Sequence, residues 1–362
     1  MGTSSSAGRG PAAAALVAAR IVYAFNWYNV GAVLPLIGRS LGAGTAALGI
    51  VLGAFLVGVS IFQVPAGLAS ARYGPRRVSL AGIGLFGSAG VASAFAPTWE
   101  SLAALRFLGG VGAAFFFSPA LSLIASYYPG SRRGPLIGLF NGGFSLGGAA
   151  SLVLGAYLGV VQGWPAALGY GGAALVAATL VAWLVLPVET LSTKGELRPT
   201  LRATTSGVLR SRSIWALSLA TTGFWGAVYI VAQYFVDYGQ TDHPSWGIGT
   251  AALLTAVFIV MSFPGGPIGG WIAERGRDRR GLLGTFALVA GLLIFLIPLA
   301  GLWALWPIFL LLGFLDGMVF AILYLIPTYL EETRREGLAL GVAVVNSIQV
   351  LLGSGIAIAF GA

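Results

Sequence analysis

"VPAGLASARYGPRR", residues 64–77, closes one long apolar run, and "GPIGGWIAERGRDRR", residues 266–280, closes another about two hundred residues later. Pro65 and Pro267, Gly67 and Gly269, Ala71 and Ala273, and Gly74 and Gly276 keep the same offset. Each phrase gathers arginines in a chain whose residues are only 9% charged. A like phrase after a like segment points to a duplicated unit, with the arginines at the end of the second apolar segment of each half.

The remaining composition says what the unit is made of. Of 362 residues, 57% are hydrophobic, whereas soluble domains carry roughly 25% charged residues. Eleven apolar segments can be marked, at 12–37, 45–70, 77–96, 99–127, 135–160, 164–187, 213–238, 247–273, 280–300, 303–329 and 336–361. Most reach the ~20 residues that a helix needs to cross a bilayer. Hydrocarbon leaves unpaired backbone groups unsolvated, so the segments are expected to be helices. Period-two alternation is absent, which argues against a membrane barrel. The expectation is an all-α polytopic membrane protein.

Of the twenty basic residues, seventeen fall in loops on one side of such a layout, one (Arg39) falls on the other, and Arg20 and Arg106 lie within segments. That asymmetry is the positive-inside pattern, and it predicts a cytoplasmic N-terminus in a prokaryotic plasma membrane. It also accounts for the net charge of +9 without nucleic acid. The partners expected are the bilayer, a small-molecule substrate and protons, and the chain is expected to be a monomer. With no cysteine and a single histidine, His243, the chain offers neither a thiolate nor an imidazole cluster. No GxxxxGK[ST] phosphate loop occurs. Neither an enzyme, nor a metal site, nor a cofactor is expected.

Three further stretches carry a resemblance. "GLASARYGPRR" (67–77), "RFLGGVGAA" (106–114) and "YYPGSRRGPLIGLFNGGFSLGG" (127–148) are similar to the second-to-third-segment loop, the fourth-segment arginine–glycine motif and the fourth-to-fifth-segment passage of the major facilitator superfamily. The resemblance covers nearly the whole chain. It implies a two-bundle fold and a secondary transporter of a small organic solute working by alternating access. A non-transporting receptor on the same fold is the alternative. On this reading residues 1–11 are a disordered cytoplasmic N-terminus, 12–187 a six-helix bundle, 188–212 a cytoplasmic linker, and 213–362 a second bundle with five of the usual six helices. Two departures stand out. Ala71 occupies the place of the loop motif's usual aspartate, and "NWYN" (26–29) puts Trp27 where some anion carriers have arginine. The latter weakens an organic-anion reading.

Polar groups inside apolar segments are rare and costly, so each is a candidate. Tyr23, Asn26 and Trp27 in the first segment, Trp225, Tyr229 and Gln233 in the seventh and Asn346 in the eleventh are candidates for substrate binding. Arg20, two turns into the first segment, is expected to snorkel toward the cytoplasm. Gly67, Arg72, Gly74, Arg76 and Arg77 form a candidate gating loop, in which both glycines permit a tight turn and the arginines reach helix ends of the other half. Arg106 and Asp316 are candidates for coupling. Asp316 lies about 20 Å along its segment by the ~1.5 Å rise per residue. A carboxylate at that depth must find donors or a cation, or take up a proton. Arg106 is the expected partner.

Overall fold

The computed structural model describes residues 9–187, 201–243, 246, 248–276, 278–333 and 337–361. Residues 1–8 of the expected disordered tail and 188–200 of the expected linker lie outside these residues, while Arg9, Gly10 and Pro11, expected in the tail, already belong to the first helix. Helices α1 (Arg9–Leu41), α2 (Thr45–Tyr73), α3 (Pro75–Ser93), α4 (Trp99–Tyr127), α5 (Arg133–Ala150), α6 (Ala156–Gln162) and α7 (Trp164–Val185) make one bundle. The short α8 (Leu201–Arg210) follows, within what the sequence suggests is linker. The second bundle holds α9 (Arg212–Thr241), α10 (Ile248–Arg275), α11 (Arg279–Leu296), α12 (Leu302–Leu325) and α13 (Leu338–Gly361). α5 and α6 are one rod joined by a π-helical turn, Ser151–Gly155. Each of the eleven apolar segments is thus helical. Among the described residues nine helices are long and apolar enough to cross a membrane. α3 falls short because glycines, serines and the Arg76–Arg77 pair dilute its 19 residues, and α13 contributes a shorter apolar stretch, Leu338–Gly353.

Local chemistry sets the breaks between rods. Gly74 has φ 88°, a conformation that costs little only without a Cβ, and Pro75 opens α3 at the position where its missing N–H is harmless. Gly163 (φ 88°) and Pro165 repeat the device before α7. Thr98 and Ser101 form a reciprocal cap on α4.

Within each bundle, α2 packs on α4 and α10 packs on α12, the pairing that duplication predicts. Between the bundles, α5 lies against α10 and α2 lies against α13, and these two contacts exchange under the same duplication. Both are backbone-close. A Cβ on Gly138 would fall on the Gly266 carbonyl, and one on Gly134 on the Gly270 carbonyl. Such small-residue seams replace the hydrophobic drive that lipid cannot supply. Gly67 is not in a turn, as expected from sequence, but inside α2, where a Cβ would strike the backbone of Leu340 in α13. Of the two glycines in the opening phrase, one makes the turn and the other makes the seam.

All of these cross-bundle glycines lie toward the arginine-bearing end. They hold that end of the molecule shut. Gly138→Val should prevent this approach. The chain has no cysteine, so a single Asn141→Cys reporter one turn further along α5 can be followed cleanly. Maleimide labelling from the arginine-bearing side should rise several-fold in the valine variant, and unchanged labelling would mean that the seam does not control access.

Candidate functional site

Beyond the glycine seams a cavity of about 500 Å³ opens between the bundles. α1 contributes Tyr23, Trp27 and Tyr28, α9 contributes Trp225 and Tyr229, and α12 contributes Asp316, Phe320 and Tyr324. α5 adds Asn141 and Ser145, α10 adds Ser262, and α13 adds Asn346. Five of the seven expected binding residues therefore share one chamber. Gln233 lies on α9 two turns from Trp225, but its side chain is outside the described residues. The walls are largely aromatic. Trp225 stacks on Tyr229 with centroids 4.9 Å apart and planes 11° from parallel. On the facing bundle Trp27 meets Phe144 edge-on at 5.5 Å.

Two expected site residues turn elsewhere. Asn26 faces α7: its amide nitrogen donates to the carbonyls of Gly171 (2.8 Å) and Val22 (2.9 Å). Arg106 is buried inside the first bundle. Its Nη1 donates to the Asn26 carbonyl at 3.2 Å and its Nη2 to the Trp27 carbonyl at 3.4 Å, with the guanidinium 4.2 Å over the Phe55 ring. Arg106 therefore binds α4 to α1 and is not the partner of Asp316. A carbonyl has two lone pairs, so mid-helix carbonyls of α1 can accept it without losing their helical bonds.

Asp316 is 6% exposed. Ser262 Oγ donates to its Oδ2 at 2.8 Å, while Oδ1 has no hydrogen-bond partner. Serine and aspartate meet because α10 and α12 approach through Gly317, where a Cβ would strike the Ser262 carbonyl. The sequence signal for Ser262 was slight: one hydroxyl in an apolar segment.

The cation in this chamber is Arg20. It does not snorkel. It is 6% exposed and lines the cavity. Its guanidinium sits 4.5 Å from the Phe117 and Phe144 centroids, 4.7 Å from Tyr23 and 5.2 Å from Phe140. Arg20 is about 16 Å along α1 from Arg9, and Asp316 is about 20 Å from Tyr329, so the two charges stand at similar depth on opposite bundles. Next to them a polar chain runs through the second bundle. The Tyr324 hydroxyl donates to Asn346 Oδ1 at 2.7 Å, and Gln349 Nε2 donates to Thr221 Oγ1 at 2.7 Å.

At the arginine-bearing end the opening phrases divide their labour. Arg76 donates to the carbonyls of Trp183 (2.7 Å) and Leu186 (3.1 Å) at the end of α7, so it ties a helix end of its own half, not of the other. Arg72 lies beside Tyr73, and Arg77 is exposed. The cross-bundle charge contact is made by Glu274, the acid inside the second phrase. Its Oε1 accepts from Arg133 Nε at 3.3 Å and from the Gly134 backbone N–H at 3.0 Å. Tyr329 donates to Glu274 Oε2 and is flanked by Arg133 and Arg279, 4.5 and 3.7 Å from its ring.

Two like helical bundles with a solute-sized, charge-bearing chamber between them define a class of duplicated polytopic membrane protein. The chain belongs to the Major Facilitator Superfamily, whose family model matches residues 16–358. It is similar to the 4-hydroxybenzoate transporter PcaK of Pseudomonas putida, with 26% identity over 293 residues, covering 72% of this chain and 65% of that protein. It is also similar to a gallate transporter of the same organism, with 27% identity over 175 residues, covering 48% of this chain and 39% of that protein. The matches thus span less than two thirds of either relative. In fold it is similar to the E. coli fucose:proton symporter FucP (TM-score 0.75, 18% identity, covering 96% of this chain and 90% of that one). It is similar as well to the proton:xylose symporter XylE (TM-score 0.68, 14% identity, covering 98% and 88%).

The Arg133–Glu274 pair can be tested directly, since its side chains are 17% and 5% exposed. A thermal-stability cycle over Arg133→Gln, Glu274→Gln and the double variant should give a coupling of about 0.5–3 kcal/mol, the range for groups in one charge network. Purely additive single effects would mean the contact contributes nothing to closure.

Proposed function

We propose that the chain is a secondary transporter that carries a small organic solute across the membrane by alternating access, with Asp316 as the group that binds and releases the coupling proton. The observation that carries this reading is the chamber itself: a closed end formed by two symmetry-related glycine seams, and beyond it a half-satisfied carboxylate at mid-membrane depth. Binding at a repeat interface near the midplane is the working arrangement of duplicated carriers. Two bundles joined by seams that exchange under the duplication can rock from one closure to the other.

The relatives support a solute of small organic type, as their names specify gallate and 4-hydroxybenzoate. The receptor alternative is not adopted, because no observation favours it and the relatives named above are transporters. The charge asymmetry supports a cytoplasmic location for the arginine-bearing end, and the Pseudomonas putida relatives support a prokaryotic plasma membrane. The closed seams then face the cytoplasm, and the chamber belongs to an outward-facing state.

Asp316 is suited to its role by its surroundings. The titratable groups lining the chamber are Arg20, Tyr23, Tyr28, Tyr229, Tyr324 and Asp316. Asp316 is the one carboxylate among them, and its hydrogen bond comes from a neutral hydroxyl, not a cation. A lone carboxylate in an apolar chamber is neutralised by a proton at far lower cost than it is buried charged. Protonation removes the last charge on that wall and lets the bundles close over it.

Proteoliposomes loaded under an imposed proton gradient test the assignment, with labelled 4-hydroxybenzoate and gallate as first probes. Wild type should accumulate solute, and Asp316→Asn should lose accumulation while retaining solute exchange between the two sides. Wild-type accumulation and pH dependence in the variant would make Asp316 structural. For orientation, a single Ser131→Cys between α4 and α5 should react with an impermeant thiol reagent only from the cytoplasmic face.

A further inference from the structure

Arg20 has no assigned work in the reading above. A guanidinium carries five donors in a planar fork and stays charged in proteins. Buried in a membrane bundle, it ought to be tied to a carboxylate or to backbone carbonyls, as Arg106 is. Arg20 is equally buried, yet among the described residues it reaches no backbone carbonyl: its Nε and Nη1 both meet no acceptor, whereas only the Nε of Arg106 does. No ion pair is found between Arg20 and Asp316, whose hydrogen bond comes from Ser262, so Asp316 does not neutralise Arg20. Aromatic rings surround it instead. They stabilise a cation by their quadrupoles and fix its plane, but they accept none of its in-plane N–H bonds. The result is a rigidly placed cation with donors to spare on the wall of the chamber.

We propose that Arg20 is the anchor for a carboxylate, and that the solute is a small organic acid with a flat, ring-like body. This inference rests on the transport reading for its physiological meaning. A carboxylate is the planar two-oxygen acceptor that a guanidinium fork matches. The rest of the chamber fits the remainder of such a molecule. Trp225 stacked on Tyr229 presents an aromatic face from one bundle, and Trp27 with Phe144 presents edges from the other. Asp316 stands on the bundle opposite Arg20, and Tyr28 lines the same chamber. A charged carboxyl is attracted to the Arg20 wall and meets no cation on the Asp316 wall, so the acid has one favoured orientation. Trp27 in place of the arginine that some anion carriers hold in "NWYN" is therefore no obstacle: the cation is supplied two turns earlier on the same helix.

The test is a binding experiment on the purified full chain in detergent, read by thermal shift and by titration calorimetry. The probes are benzoate, 4-hydroxybenzoate, 3,4,5-trihydroxybenzoate and phenylacetate, each beside its neutral amide, with benzylammonium as the cation of the same shape. At least one acid should bind at least tenfold more tightly than its amide and than benzylammonium. Arg20→Gln should remove that preference, and Arg20→Lys should keep part of it. Because Arg20→Gln leaves aromatic faces without their cation, size-exclusion behaviour and residual amide binding serve as folding controls. The lysine variant keeps the test decisive if the glutamine variant does not fold. A cation preference, an amide bound as well as every acid, no binding of any acid, or full acid preference in Arg20→Gln would overturn the proposal. Transport is measured separately in liposomes. Arg20-dependent acid binding without flux would leave the anchor standing and sink the transport reading. Flux of a solute that binds independently of Arg20 would do the reverse.

Discussion

Backbone-to-backbone contact between α5 and α10 is the constraint from which the rest of this structure follows. Gly134 and Gly138 on one rod meet Gly270 and Gly266 on the other so closely that no Cβ fits between them. In lipid, apolar side chains gain little by leaving their surroundings, so helices associate through close packing and polar bonds. Glycine gives the closest packing available. With its duplicated partner between α2 and α13, this seam shuts one end of the molecule. The two bundles then diverge, and the divergence is the chamber. A bulky residue at any of these positions would alter the shape of the chamber without touching its lining.

Charge inside the bundle is distributed by a second constraint, the cost of leaving it unpaired in hydrocarbon. The two deep arginines meet that cost differently. Arg106 is tied to carbonyls of α1 and holds helices together. Arg20 is stabilised by rings and keeps free donors. Asp316 is stabilised by one serine hydroxyl and keeps a free oxygen. A group tied by both ends of its fork to the backbone, as Arg106 is with only its Nε unpartnered, is glue. A partly satisfied group facing a cavity is held ready for something that comes and goes.

Duplication has left the two halves alike in outline and unlike in chemistry. The first phrase keeps its arginines within its own bundle, with Arg76 on the end of α7. The second supplies Glu274, which crosses to Arg133 and Gly134 and takes the Tyr329 hydroxyl. Ala71 stands where an acid is usual in the first phrase, and here the acid that spans the bundles comes from the second. Charge contacts at this end therefore rest on one seam, while the other relies on Gly67 and on a bond from Ser347 to the Ser60 carbonyl.

The sequence by itself determined the class of protein. Apolar runs of membrane length, one-sided arginines and two matching phrases require a duplicated helical bundle, because hydrocarbon permits few other structures. It also brought most of the chamber's aromatic residues and Asp316 to notice, since a polar or aromatic group in such a run is conspicuous. What the sequence could not decide was direction. Asn26 and Tyr23 are neighbours on one helix, yet one faces α7 and the other the chamber. Arg20 and Arg106 look equally suited to a site until their surroundings are known. Helical periodicity fixes which residues share a face but not what that face meets. Only the packing of the rods around the two glycine seams settles which arginine is tied to backbone carbonyls and which lines the chamber without one.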